Sequence, residues 1–402
     1  FGGIGLTGKL KVDTSNMKFQ ENLGLTTDEL KRLKYSIPEE VGVSSYLLDS
    51  GVSHIVEEAI DSMAFPGCQI LMAKNGVVFY QKSFGYHTYT KEHTVENTDI
   101  YDLASISKVS GATTALMKLY GDGLFKLDEN FSTYWPDFEH GNKKGLLVRE
   151  VLAHNARLKP YITYYLASRR NNGKYRWNSI KGDSSKRFPT RVAMSSYFLH
   201  KDYKEKKIYK MIKNSKLNEE PGYVYSGLSF YLYPEIVYNL TGEKYDDYLY
   251  SYFNRDRLVP TETDDFFRME QIHGTVHDEG ASMMQGVSGN AGLFSNANDL
   301  AKLWQMYLYR GNYGGEQYIS KTTIDEFTSC QYCDEDNRRG LGFDKPLIEY
   351  DSIKSSIAKA ASAASFGHSG YTGAIVWADP ENQLLYIFLS NRVYPTRNNR
   401  KL

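Results

Sequence analysis

Ser105 and Lys108 stand three residues apart at the head of the run SISKVSGATTALMKLYGDG. A serine hydroxyl is a weak nucleophile until a neighbouring base takes its proton. If the run is helical, positions i and i+3 share a face, and the Lys108 amine lies beside Ser105 Oγ. The amine must be neutral to accept that proton, a state favoured by burial or by nearby positive charge. A serine at a helix start also meets the positive end of the dipole and free backbone N–H groups, which suit a developing oxyanion. The chemistry on offer is acyl transfer; the structural alternative is an ordinary helix cap. Spacing alone does not choose, because S-x-x-K recurs at Ser15–Lys18 and at Ser356–Lys359. Only the middle copy opens a long apolar helix after a hairpin.

The elements that must hold this pair are legible from periodicity. Leu48, Val52, Ile55, Val56, Ala59 and Ile60 have the spacing of an amphipathic helix. The runs CQILMAK and VVFYQKSFGY, joined by Asn75-Gly76, read as a hairpin. The helix begun at Ser105 buries Val109, Ala112, Leu116 and Leu119, and Gly121 is expected to end it. GAIVWAD and LLYIFLSNR, around PENQ, form a second hairpin. The expected fold is α+β: an antiparallel sheet built from N- and C-terminal strands, flanked by helices, with a mostly helical subdomain inserted over about 124–310. Residues 1–35, glycine-rich at the start, read as a tail or linker, and 36–402 as the domain.

Composition excludes several classes. Lys+Arg and Asp+Glu both number 48, so the net charge of zero gives no global signature of nucleic-acid binding. No stretch approaches the ~20 apolar residues of a membrane span. Local charge is more informative: between Arg157 and Arg191 ten lysines and arginines face one acid, Asp183. That stretch is either a solvated loop or a basic lid over a cleft for carboxylate-bearing substrates. Cys330 and Cys333 form a lone C-x-x-C, read as a local disulfide or two free thiols, and Cys68 falls in a strand. The chain starts at Phe1 without a methionine or an apolar signal segment, so a processed product or a piece of a longer protein is expected.

The segment YDLASISKVSGATTALMKLYGDGLFKLDE resembles the active-site helix of the serine β-lactamase and penicillin-binding protein superfamily, notably class C β-lactamases, D-alanyl-D-alanine carboxypeptidases and related esterases. VREVLAHNARL and VHDEGASMMQGVSGNAGLFSNANDLAKLWQMYL are similar to later parts of the same domain. The resemblance makes Ser105 the acylated serine and Lys108 its motif lysine. It carries the tyrosine of the second motif to Tyr225, in PGYVYSGLSF, rather than to the literal Y-x-N at Tyr252–Asn254. Gly227 then stands where the family has an asparagine, which argues against efficient β-lactam turnover. His368-Ser369-Gly370 matches the third motif, with Gly370 letting substrate approach the strand and the Tyr371 and Ser105 amides as oxyanion donors. The implied activity is hydrolysis of an ester, a D-amino-acid amide or a β-lactam, with no metal or cofactor.

A second resemblance concerns the tail. FGGIGLTGKLKV is similar to the last strand region of family-3 glycoside hydrolases, and RLKYSIPEEVGVSS to the junction where such enzymes are fused to β-lactamase-like domains in gut Bacteroidota. It implies a covalently linked upstream glycosidase and a periplasmic or extracellular location. The competing functional class is a non-catalytic peptidoglycan- or glycan-binding module attached to that glycosidase.

Overall fold

Asn75 and Gly76, both at positive φ (53° and 75°), close the first hairpin with the twist that adjacent strands require. The computed structural model in which they are seen describes residues 31–192, 197–246 and 257–401, with the strand pair Thr7–Lys9 and Gly24–Thr26. The Ser15–Lys18 copy of the motif, the literal Y-x-N at 252–254 and most of the glycosidase-like tail lie outside the described residues.

In chain order the elements around the site are β1 (Lys34–Tyr35), α1 (Ser45–Asp61), β2 (Gly67–Lys74), β3 (Val77–Gly85), β4 (Tyr101–Asp102), α2 (Thr113–Gly121), β5 (Phe294–Ser295), α3 (Ala297–Leu308), β6 (Phe366–Gly370), β7 (Ala374–Asp379) and β8 (Leu384–Ser390). The main sheet runs β6-β7-β8-β2-β3-β1. Early and late strands meet where β8 pairs antiparallel with β2, from Leu384↔Lys74 to Ser390↔Cys68. Only the β1 edge is parallel, Lys34 lying opposite Val77. With Leu33 buried beside it, the domain takes in residues that the sequence assigns to the tail.

Successive side chains point to opposite faces of a strand, and both faces here are covered. Ile70 and Phe388 join Val56 of α1 and Phe65 on one side, while Leu71, Ala73, Ile387 and Leu389 join Leu116 of α2 and Trp304 of α3 on the other. A bulge at Met72/Ala73 leaves Phe79 without an opposite residue and turns it toward α1. Val109, Ala112, Leu116 and Leu119 are buried as periodicity requires. Ile55 is the exception on α1, at 67% exposure. The stop signal is also displaced: α2 includes Gly121, and the left-handed residue that ends the turn is Gly123, φ 75°.

The inserted region is less helical than its periodicity suggests. Its described helices, such as Val148–Leu152, Tyr164–Ala167 and Tyr233–Thr241, are short, and a small antiparallel sheet of Ile180–Lys181, Phe198–Leu199 and Thr190–Arg191 interrupts them. Aromatic packing supplies order there: Tyr164 meets Tyr231 edge-on at 5.2 Å and Phe230 meets Tyr233 at 5.1 Å. The insertion closes before β5, because α3 already belongs to the layer on the sheet. Cys330 and Cys333 are joined as a disulfide, and Cys68 is a buried free thiol.

Candidate active site

The chain enters the site along β4, which pairs with β5. Asp102 then fixes the turn. Its Oδ1 accepts the Ala104 amide at 2.8 Å, its Oδ2 accepts the His277 amide at 2.7 Å, and its own carbonyl accepts the Thr372 hydroxyl at 2.8 Å. One buried residue thus ties the turn ahead of Ser105 to two other segments. Burial raises the Asp102 carboxyl above its usual range, against the pull of these two amides. Ala104 sits at φ 44°, a left-handed conformation costing an alanine about 1–2 kcal/mol, and Ser105 follows it. The helix beyond starts with a wide turn, Lys108–Ala112 being π-helical before α2 continues.

Lys108 is 3% exposed. Its Nζ is 2.9 Å from Ser105 Oγ and 2.9 Å from the Asn290 carbonyl, and it faces the rings of Tyr225 and Phe230 at 5.6 and 5.7 Å. No carboxylate pairs with it among the described residues. The i, i+3 geometry predicted for this pair is present. By contrast, Ser356 and Lys359 lie in irregular chain.

Tyr225 lies ahead of the short helix Ser229–Tyr231, held by His154 on both sides in sequence. The Val224 amide donates to the His154 carbonyl at 2.9 Å, and the Ser226 amide to His154 Nδ1 at 3.2 Å. The His154 ring also packs on Tyr225 at 4.6 Å. From the sheet edge, His368 Nε2 is 3.5 Å from the Tyr225 hydroxyl, while Nδ1 lies 2.7 Å from the Ser369 carbonyl. A carbonyl only accepts, so Nδ1 carries the proton and Nε2 offers its lone pair to Tyr225. Burial first, then the Arg339 and Lys108 charges, push His368 down to about 3, and the same influences hold His154 well below its usual value. Both rings are neutral at physiological pH.

Gly370 has a packing reason in addition to the one expected. A Cβ there would fall 2.5 Å from the Leu103 carbonyl oxygen and 3.4 Å from Ala104 Cβ, so the strand end is seated against the backbone that precedes Ser105. The amides of Ser105 and Tyr371 are not taken up by the turns around them, and the Tyr371 ring is largely exposed. At Gly227 a Cβ would meet only Lys108 Cε, at 3.9 Å. The missing asparagine leaves space beside the lysine.

Arg339 was not singled out by the sequence. It is 5% exposed, stacks over Tyr223 and Tyr225 at 5.5 and 5.1 Å, and is 3.4 Å from Asp344. Nothing in the local run NRRGLG marks it. His154 lies inside VREVLAHNARL, the segment quoted for its resemblance, but its orienting role depends on a fold that brings residues 154 and 225 together. The gathered groups amount to a hydroxyl beside an amine, a phenol beside a neutral imidazole, and two amides on adjoining turns that donate to no turn carbonyl among the described residues. That set suits proton movement at an acyl carbon.

The family described as Beta-lactamase matches residues 52–402. Among curated proteins, "Putative D-alanyl-D-alanine carboxypeptidase" from Escherichia coli (strain K12) is 26% identical over 404 residues, covering 90% of this chain and 86% of that protein. Among solved structures, a class C beta lactamase aligns with TM-score 0.61 at 13% identity, over 87% of this chain and 94% of the other. EstCE1, described as a hydrolase with promiscuous acyltransferase activity, aligns with TM-score 0.58 at 17% identity, over 88% and 97%.

Proposed function

The chain belongs to the Beta-lactamase family, and on that premise we propose that it is a serine hydrolase working through an acyl-enzyme on Ser105. The observation that carries this reading is the 2.9 Å contact of Lys108 Nζ with Ser105 Oγ inside a buried site. Ser105 Oγ attacks the acyl carbon as its proton passes to Lys108, which reacts in its neutral amine form. The carbonyl oxygen, now negative, rests between the Ser105 and Tyr371 amides. Collapse breaks the bond to the leaving group, which takes a proton from the Tyr225 hydroxyl; His368 Nε2 orients that hydroxyl. Water then cleaves the acyl-enzyme and the protons return.

The substrate is an ester, a D-amino-acid amide of the D-Ala-D-Ala type or a β-lactam. The carboxypeptidase name of the curated relatives supports the amide, and Gly227 ranks both ester and peptide above β-lactam. An upstream glycosidase joined to residues 1–35 and an extracytoplasmic setting belong to the same proposal. The test is intact-protein mass spectrometry after incubation with a penicillin and, separately, a fluorophosphonate, with peptide mapping. An adduct on Ser105 supports the reading, and its decay or persistence with penicillin separates a β-lactamase from a penicillin-binding protein. No adduct with either reagent moves the reading to a binding module.

A further inference from the structure

A second cleft, of about 860 Å³, opens between the 159–178 stretch and the helical stretch 204–214. Lys159, Arg170, Arg176, Lys206, Lys207 and Lys210 line it, and no Asp or Glu does. Only Lys206 has a carboxylate partner among the described residues, Asp202 at 2.7 Å. The chain carries as many acids as bases, so a wall of six cations without one acid is a local arrangement rather than an overflow of net charge. Like charges held around a concave surface repel one another and concentrate anions from solution. The volume is that of a pocket for an organic group and far exceeds the ~30 Å³ share of a single water. Trp177, 65% exposed on the same wall, adds a flat apolar face.

The cleft is linked to the candidate active site through one chain segment. The Ser226 hydroxyl donates to the Lys159 carbonyl at 2.6 Å, and the Gly227 amide to the Pro160 carbonyl at 3.1 Å. The Lys159–Pro160 segment, whose Lys159 lines the cleft, is thus hydrogen-bonded to Ser226 and Gly227, next to Tyr225. We infer that this cleft binds an anionic arm of the acyl donor, its charge carried as carboxylate or phosphate, while the scissile bond lies at Ser105. The inference rests on the acyl-transfer reading above for the scissile end, and on the cleft alone for the anion.

The test therefore has two arms. In the first, the Ser105→Ala protein is titrated with citrate and with tripolyphosphate at low and high salt, alone and with Lys207→Gln/Lys210→Gln or Arg170→Gln/Arg176→Gln added. At least one anion should bind, more weakly at high salt, and each pair should weaken it about tenfold. The tighter of the two probes identifies the charge carrier. In the second arm, Ser105 acylation is timed with two esters that differ only in a neutral or a dianionic arm. The wild type should favour the dianionic ester, and the ratio should fall about tenfold in either double variant. Binding of neither anion, or equal binding by all variants, overturns the inference. Tighter binding of a single-stranded oligonucleotide than of either small anion overturns it in favour of a nucleic-acid partner. Failure of both esters to acylate Ser105, with anion binding intact, counts against the hydrolase reading and leaves the cleft assignment supported.

Discussion

Two regions of this molecule rich in basic side chains are linked through the 159–160 segment, and they differ in how those side chains are placed. Around Ser105 the basic side chains are buried: Lys108 is satisfied by a carbonyl, a hydroxyl and two rings, and Arg339 by rings and Asp344. In the neighbouring cleft the cations are exposed and mostly without carboxylate partners. Buried charge is screened little by salt and acts over short distances on groups fixed in place. Exposed charge is screened strongly and acts on whatever diffuses in. The first region has groups fixed at hydrogen-bonding distance from one another, and the second has charges open to solvent.

The largest expected effect falls on the buried region. Ser105→Ala should abolish covalent labelling and lower turnover by about 10³-fold or more, with Lys108→Ala nearly as damaging and the double variant no worse. Turnover by Ser105→Ala near the wild-type rate would put the nucleophile elsewhere. Gly370→Ala comes next, because its Cβ meets a backbone oxygen at 2.5 Å that cannot swing away. Acylation should slow on the order of 10²-fold as the nucleophile turn shifts, with about 1–3 kcal/mol lost in urea unfolding. A fully active Gly370→Ala would mean that the strand end does not set the turn.

A third prediction concerns acid. His368 is held near 3 in the folded chain against an ordinary 6.5, so the unfolded state binds the extra proton first. Its contribution to stability is complete above about 6.5 and is lost progressively as pH falls toward 3, with His154 acting in the same sense. His368→Gln should therefore lose less stability than the wild type between pH 7 and pH 5, measured by urea unfolding at each pH. An identical loss in both proteins would show that the buried ring is not the group that titrates. The smallest effect is expected at Gly227, where a side chain has room. Gly227→Asn should leave the fold unchanged and speed decay of a penicillin adduct a few-fold. Unchanged decay would leave the absent amide irrelevant to β-lactam turnover.

Much of this was legible in the residues. Both hairpins, the buried face of the Ser105 helix and the Ser105–Lys108 pair follow from period-2 and period-3.6 patterns and from turn residues, which are short-range effects. Sequence also ordered the three motifs, but the 3.5 Å approach of Tyr225 and His368 is a contact that their order did not specify. The insertion was read as mostly helical; its described helices are short, with long loops and a small three-stranded sheet between them, a detail that periodicity does not carry.

By itself, then, the sequence determined what is local: which runs pleat, which face of a helix is apolar, and which serine has a lysine one turn away. Only the tertiary structure decided what depends on contacts distant in the chain. Asp102 is a hub because residues 277 and 372 come to it, and His154 orients Tyr225 from 71 residues away. Arg339 became part of the site because a loop before the last hairpin is folded over two tyrosines. Three of the ten bases between Arg157 and Arg191, namely Lys159, Arg170 and Arg176, became the wall of a cleft only when the 204–214 stretch supplied Lys206, Lys207 and Lys210 opposite them. Burial and the direction of a charge are properties of the packed chain, and no local pattern encodes them.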